Sequence, residues 1–378
     1  MSARTATVNI FVDGKTMDKE QRSTVTSVTY TDPASGQADS LDIAVSGGGN
    51  KWITDWYPGE GKVVSATIVL SDWEQEGAQD ITLDCGQFIL DEPKFSGWPV
   101  SGTLSAVSTP ANKGFSKTER TKTWENVTLK EIGKNIADRA GITMAWDVSG
   151  SSFSISSVEQ SKKADCEFFT ELCNNYGLQV KVYSHKLVVY DREAYKKKAV
   201  VDTVDASEFD SWEGGPSMSE VYTGGEYTYT NPQTSKKIVA KVGGGDKILK
   251  KSGKADSAAD AERKIKALVS NANHGHIKLN FEMMGNAKWI STQCIQITGL
   301  GVLSGKYYLD SVSNKVDGSG GSTVSVEASL VESRRAANGQ QRNSRRKNLL
   351  GRLPKRNRPR GLRGSGRRSY TPHPAALF

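Results

Sequence analysis

Residues 128–148, TLKEIGKNIADRAGITMAWDV, decide how the middle of this chain folds. Thr128 and Glu131 stand at capping-box spacing, so each side chain can accept the other's unpaired backbone N–H at a helix start. Leu129, Ile132, Ile136, Ala137 and Ala140 recur at helical period and make one apolar face. Gly141 follows as a residue that takes the left-handed conformation closing a helix. The next residues, ITMAWDV, alternate as a strand does. Residues 164–191, ADCEFFTELCNNYGLQVKVYSHKLVVYD, repeat the plan. Ala164, Phe168, Phe169, Leu172, Cys173 and Tyr176 form a helical stripe ended by Gly177. LQVKVY and KLVVYD then read as a hairpin turning at Ser184 and His185. The prediction is a small α/β module without a catalytic cluster.

On the N-terminal side of this module, residues from Thr5 to about Ser116 read as all-β. TATVNIFVDG and STVTSVTYTD alternate, with turns at Asp13-Gly14 and Asp32-Pro33. ADSLDIAVSG gives a third strand, Val63 to Leu70 a long one, ITLDCGQFILDEPKFSG a further strand pair, and TLSAVSTP the last. The polar stretch 111–123 reads as a linker. After Asp191 comes a charge run, REAYKKK, read as a solvated helix turn or strand edge. Residues from about Val204 to Leu330 read as a second β domain with one helix. That helix, ADSAADAERKIKALVSNAN, is capped by Asp256 or Ser257 and carries Ala261, Ile265, Leu268 and Val269 as its stripe. HIKLNFEMMG, TQCIQITGLG, GKYYLDSVSNKV and STVSVEASLVE supply strands.

With 378 residues the chain can hold two or three domains, and its hydrophobic content of 36% and mean hydropathy of −0.50 suit a soluble protein. No apolar run reaches the length of a membrane span, and the N-terminus lacks the apolar core of a signal peptide. The formal charge of +8 misleads. The segment Arg334–Phe378 carries 14 Lys and Arg and no acid. Without it 36 basic residues face 42 acidic ones, so the rest of the chain is acidic, at −6. The tail is rich in Arg, Gly and Pro, without a core pattern, and reads as disordered in isolation. Three readings stand for it: phosphate binding, docking on an acidic neighbour, or an abrupt ending such as a changed reading frame. DNA binding as the main function ranks last, because the body is acidic.

No constellation carries catalysis. His274 and His276 flank Gly275 with no Cys, third His or acidic cluster beside them in sequence, and read as a strand-entry turn rather than a metal site. Asp91-Glu92 and Asp72, Glu74 and Glu76 are sequence neighbours on turns, not two carboxyls facing across a cleft. Cys85, Cys166, Cys173 and Cys294 show no zinc spacing. Cys166 and Cys173, seven apart on one helix and roughly 10 Å along its axis, are too distant for a disulfide. GxSxG, HExxH and phosphate-loop motifs are absent, and the glycine runs 47–49 and 243–245 read as loops. Trp52, Trp56 and Trp73 with Tyr57 read as core or interface rather than a sugar-stacking platform.

Several ordered phrases together resemble one family. WENVTLKEIGKNIADRAGITMAWDV and ADCEFFTELCNNYGLQVKVYSHKLVVYD are similar to the late-control/tail-hub family, the baseplate hubs of phage tails and contractile injection systems. "DSLDI", "W..D.YP..G" and LDCGQFILDEPKFSG resemble that family's first tube-like barrel, and GLGVLSGKYYLDSVSNKV with VSVEASL its second. Where the family usually has a His after that strand this chain has Asn314, so no role is carried over. The resemblance covers about Val8 to Leu330. It implies a mainly β fold with α+β character: a tube-like β-barrel domain (1–116), an α/β module (117–203), a second tube-like β-barrel domain (204–332) and a basic tail (333–378). It further implies a structural protein rather than an enzyme, with no catalytic, cofactor-binding or metal residue. The implied assembly is a homotrimer in a virion tail baseplate. It adapts a six-fold tail tube or tube-initiator protein to a three-fold central spike, and tape-measure protein and DNA pass through its lumen without specific binding. The rivals are a baseplate peptidoglycan hydrolase, for which no stretch is spare, and a carbohydrate-binding adhesin using Trp52 or Trp56.

Overall fold

The computed structural model describes residues 4–108, 114–150, 153–217, 221–230 and 234–333. The basic tail from Arg334, residues 111–113 of the polar stretch and Asn231-Pro232, where the sequence TYTNPQTS predicts a turn, lie outside the described residues.

The N-terminal part alternates apolar and polar residues and builds strands β1 (Thr5–Val12), β2 (Lys15–Thr16), β3 (Val25–Pro33), β4 (Ser40–Ser46), β5 (Val63–Ser71), β6 (Ile81–Ser96) and β7 (Ser101–Val107). Their apolar rows, among them Ile10, Val28, Ile43, Ile68, Phe88 and Leu104, are all but fully buried in one core. Each such side chain contributes roughly 1.5–3 kcal/mol. Two expectations needed correction here. ITLDCGQFILDEPKFSG is not a strand pair but one 16-residue strand, β6. Gly86, at φ +87, and two register slips let that strand bend, so that its first half pairs β5 and its second half β7. The region also holds a helix, α1 (Lys19–Ser23), whose five residues are too few to show a period; its start is the Asp18–Gln21 capping box.

The middle part follows the reading closely. Strand β8 (Glu119–Thr128) runs into α2 (Leu129–Ala140), where the Thr128–Glu131 capping box is present in both directions and Gly141 closes the helix at φ 70. After β9 (Thr143–Asp147) and β10 (Ser154–Ala164) comes α3 (Asp165–Asn175). β11 (Leu178–Tyr183) and β12 (Lys186–Asp191) then turn at Ser184 and His185, both at positive φ. β12 pairs β11 antiparallel and β9 parallel. The serine-rich β10 had no periodic signal, and it forms by pairing with β8, which claims part of the stretch read as a linker. The charge run becomes α4 (Arg192–Lys196), capped by the Asp191 carboxylate.

The C-terminal part contains β13 (Asp202–Asp205), β14 (Phe209–Pro216), β15 (Gly224–Thr230), β16 (Lys237–Gly243), β17 (Ile248–Ser252), α5 (Ala258–Asn273), β18 (Ile277–Met284), β19 (Cys294–Thr298), β20 (Gly305–Asp317) and β21 (Ser322–Ser333). Strands β15–β17 form a separate small sheet under α5. Gly225 permits that approach, since a Cβ there would lie 2.4 Å from Ile265. The other six strands bury Phe281, Trp289, Ile295, Tyr307, Leu309 and Val326 among others.

The two flanking parts share one strand plan. In the first, the spatial order is β1-β5-β6-β7-β4-β3; in the second it is β13-β19-β20-β21-β18-β14. With the two-residue β2, which pairs only β1, and the small β15–β17 sheet set aside, and the remaining strands numbered within each part, both read first, fourth, fifth, sixth, third, second. The parts are also joined. Strand β20 pairs β19 with its first residues and β3 with Ser311–Asp317, giving one 13-stranded sheet. Among the described residues no pairing connects β1 to β3 or β13 to β14, so neither array is closed as a barrel.

Candidate functional surface

Strand alternation gives the joined sheet two different faces. One is the apolar face already described. The other carries short hydroxyls and carboxylates, and it continues across the β3–β20 junction. One row runs Ser211, Glu282, Ser325, Ser313, Thr31, Ser40, each paired with the next on the adjoining strand. A second runs Glu213, Asn280, Glu327, Ser311, and a third Lys315, Thr29, Asp42, Ser105, Glu92. The side chains tie to one another: Ser105 Oγ donates to Asp42 at 2.6 Å, Asn280 Nδ2 to Glu213 at 3.3 Å, and Thr31 and Ser313 hydroxyls meet at 3.0 Å across the junction. The face bends into an open groove of about 510 Å³ over β14, β18, β21, β20 and β3. Glu213, Glu282 and Glu327 line it, and among the described residues no basic side chain does. A nucleic acid needs cations to neutralise its phosphates, and this groove supplies carboxylates instead.

A buried polar cluster fixes the middle part against both arrays. Lys181 on β11 forms ion pairs with Asp32 of β3 and, at 3.1 Å, with Asp39 of the β3–β4 connection. Tyr30 donates to Asp39 at 2.9 Å, and Ser291, from the connection before β19, donates to Asp32 through its backbone N–H and its hydroxyl, both at 2.8 Å. Burial pushes the Asp39 carboxyl up to about 7 against the opposing pull of the Lys181 ammonium. Burial also raises the Tyr30 phenol far above its ordinary range. Beside this cluster Tyr190 donates to the Ala34 carbonyl at 2.8 Å and meets the Tyr308 hydroxyl at 3.1 Å.

The residues weighed as chemistry bond to neighbours within the fold. His274 bonds through Nε2 to Asp310 at 2.6 Å, His276 through Nδ1 to the Asn273 carbonyl at 3.2 Å, and burial lowers the His274 pKa. Among the described residues no group of three His, Cys, Asp or Glu could hold a metal ion. Glu92 pairs with Lys94 at 2.9 Å, Asp72 accepts from Gly77 N–H at 2.7 Å, and Glu74 pairs with Lys288. Trp52 and Trp73 are core and Trp56 packs against it, whereas Tyr57 is 48% exposed. Asn314 is buried at the junction, opposite Tyr30. The outward carboxylates Glu213, Glu282 and Glu327 were not singled out from sequence. Their signal was the polar/apolar alternation in SWEG, LNFEMM and STVSVEAS, which marks an outer face but not its partner.

This architecture resembles that of several solved tail proteins. The fold matches a tail protein from Neisseria meningitidis MC58 at TM-score 0.65, with 12% identity, covering 86% of this chain and 97% of that one. It matches the 43 kDa tail protein of prophage MuSo2 from Shewanella oneidensis at TM-score 0.62, with 12% identity, covering 87% and 98%. A component of the E. coli type VI secretion system matches at TM-score 0.52, with 10% identity, covering 87% and 77%. In sequence the chain is similar to the probable baseplate hub proteins of Escherichia phages P2 and 186, 29% identical over 163 residues and 28% over 162. Each match spans 43% of this chain and 39% of the relative, so it covers about two fifths of those proteins' length. No family model matches. No helix among the described residues is long and apolar enough to cross a membrane.

Proposed function

We propose that this protein is a structural hub of a phage-type tail baseplate, a homotrimer that adapts a six-fold tail tube to a three-fold central spike. In this reading residues 1–116 and 204–332 are the two tube-like barrel domains, their open edges met by neighbouring copies in the assembly, and 117–203 is the α/β module between them. Three copies place six like arrays around one axis, so the ring meets a hexameric tube on one side and a trimeric spike on the other. The observation that carries the reading is the repeat of one strand plan within a single joined sheet. The hydroxyl and carboxylate face of that sheet lines the bore, where DNA and tape-measure protein pass without being held. The cluster around Lys181 keeps the module rigid against both arrays. The protein acts by shape and assembly, without a chemical step, and its place is the virion tail baseplate.

Light scattering on the full chain and on the chain cut after Ser333 tests this. Trimers in both forms are expected, and the tail is then dispensable for assembly. A trimer only with the tail makes the tail a docking element. A protein that stays monomeric in both forms at every concentration, alone and with tube and spike proteins added, overturns the hub assignment.

A further inference from the structure

The repeat extends to register, and so points to where a second copy attaches; this inference rests on the hub reading above. The slip between Val25 and Ser27 where β3 meets β4 recurs between Phe209 and Ser211 where β14 meets β18. The slip between Leu90 and Glu92 where β6 meets β7 recurs between Leu309 and Ser311 where β20 meets β21. Superposed on these bulges, Trp212 takes the place of Val28 and Glu213 that of Thr29, while Lys94 takes the place of Ser313 and Ser96 that of Lys315. Within the chain β3 sits on β20, with Thr29 opposite Lys315, Tyr30 opposite Asn314 and Thr31 opposite Ser313. The two counterparts of those strands are unoccupied. β14 pairs only with β18 among the described residues, and β6 beyond Leu90 has run past the end of β5.

We propose that β14 of one copy adds, antiparallel, to the free part of β6 in a second copy, placing Glu213 opposite Ser96, Gly214 opposite Phe95 and Gly215 opposite Lys94. Three features of these edges fit. Trp212 lies on the core side of its strand, opposite buried Phe281, yet is 48% exposed, whereas its counterpart Val28, covered by β20, is 2% exposed. The missing cover is a neighbouring strand. Phe95 needs space on that same side, and Gly214 has no side chain to contest it. On the polar side the Glu213 carboxylate comes diagonally beside the Lys94 ammonium. Trp98 is 79% exposed in the turn that follows Ser96, and the proposed pairing brings that turn to the end of the edge where Trp212 lies. The pairing satisfies two edges whose open N–H and C=O groups otherwise invite indiscriminate association, and repeating one junction from copy to copy closes a ring.

The test is a cross-link in the full chain carrying Ser96→Cys and Glu213→Cys. Directly opposed residues of an antiparallel pair lie roughly 4.5–5.5 Å apart at Cα, within disulfide reach. Mild oxidation is expected to give covalent dimers and trimers on a non-reducing gel. Each single-cysteine variant, and the displaced pair Glu92→Cys with Glu213→Cys, should stay at background. Adding Trp212→Glu, at an exposed site that leaves the circular dichroism unchanged, is expected to abolish both the cross-link and the trimer. A protein that is trimeric by light scattering but shows no 96–213 cross-link, or cross-links the displaced pair equally, overturns this junction and leaves the hub reading standing. A protein that is monomeric throughout overturns both.

Discussion

The two arrays, β2 aside, repeat each other in strand order and share two bulges, but their first strands run in different directions. β1 runs antiparallel to β5, while β13 runs parallel to β19. The difference follows from how the chain arrives. β13 comes from α4 with only Lys197–Val201 to spare, and a short turn at Ala206–Glu208 separates it from β14, whereas β1 is free to lead through β2 and α1. Register is kept where core rows pack on both neighbours, and direction is free where a strand is an edge. The connection between third and fourth strands makes the same point. Each array drops one tryptophan there into its core, Trp52 and Trp289, each 1% exposed. Each indole N–H donates at 3.0 Å, that of Trp52 to the Thr24 hydroxyl and that of Trp289 to the Asp202 carboxylate. The plug is common, and its polar partner is not.

The arrays also differ in how they grip the middle module, and that difference can be broken. The first array supplies the buried carboxylates of Asp32 and Asp39 around Lys181, whereas the second supplies the neutral Ser291 hydroxyl beside Lys181 and the neutral contact of Tyr308 with Tyr190. Lys181→Met leaves two carboxylates facing each other without a cation, and is expected to cost about 3–5 kcal/mol. Tyr308→Phe, which removes one neutral hydrogen bond, is expected to cost about 1 kcal/mol. Urea unfolding of the two variants measures both. Equal losses would mean that the charged cluster holds the module no more firmly than the tyrosine pair does.

The same cluster should make the first array's grip respond to pH. The folded protein holds the Asp39 proton more tightly than the unfolded chain, because burial raises that carboxyl from its ordinary 3.8 to about 7. The stability this contributes is fully present below about pH 3.8 and is lost as pH rises through about 7. Asp39→Asn keeps the Lys181–Asp32 pair and removes the titration. Above pH 7 the variant is expected to be more stable than the native protein by about 2–4 kcal/mol, since each tenfold difference in proton affinity between folded and unfolded chain is worth about 1.36 kcal/mol. The gain should shrink toward pH 4. Urea midpoints at pH 4.5, 6 and 8.5 give the profile, and a gain independent of pH would remove Asp39 as its source.

What could be read from sequence was what local patterning dictates. Thr128 with Glu131 and the Gly141 stop placed α2, and the Ser184–His185 turn placed a hairpin, because capping and turn chemistry act within a few residues. The β10 strand was not legible, since serines become a strand only through a partner some thirty residues away. The junction of β3 with β20 was out of reach for the same reason: Ser, Thr and Glu on outward positions mark a wet face without naming the strand beside it. The repeat itself left a trace in ILDEPKFS and YLDSVSNK, where Leu90-Asp91 and Leu309-Asp310 occupy the same bulge. Two residues shared at equivalent places do not stand out until pairing aligns them.

The smallest effect probes the repeat most finely. Just before the fourth strand of each array the chain makes the same pair of backbone bonds. Gly61 N–H donates to Leu90 O at 2.8 Å and Leu90 N–H to Lys62 O at 2.9 Å; Thr292 N–H donates to Leu309 O and Leu309 N–H to Gln293 O, both at 2.9 Å. The donor residue is left-handed in both, Gly61 at φ 75 and Thr292 at φ 71. Glycine takes that conformation freely, whereas for a β-branched residue it costs roughly 1–2 kcal/mol. A Cβ on Gly61 would meet nothing within 4 Å, so backbone strain is the only penalty for filling the site. Gly61→Thr is therefore expected to destabilise by about 1 kcal/mol after the lowered entropy of the unfolded chain is counted. Thr292→Gly should stabilise by about 0.5–1 kcal/mol, and the double exchange should be close to neutral. If Thr292→Gly destabilises instead, the threonine side chain contributes something that Gly61 has no counterpart for, and the two loops are alike in trace only.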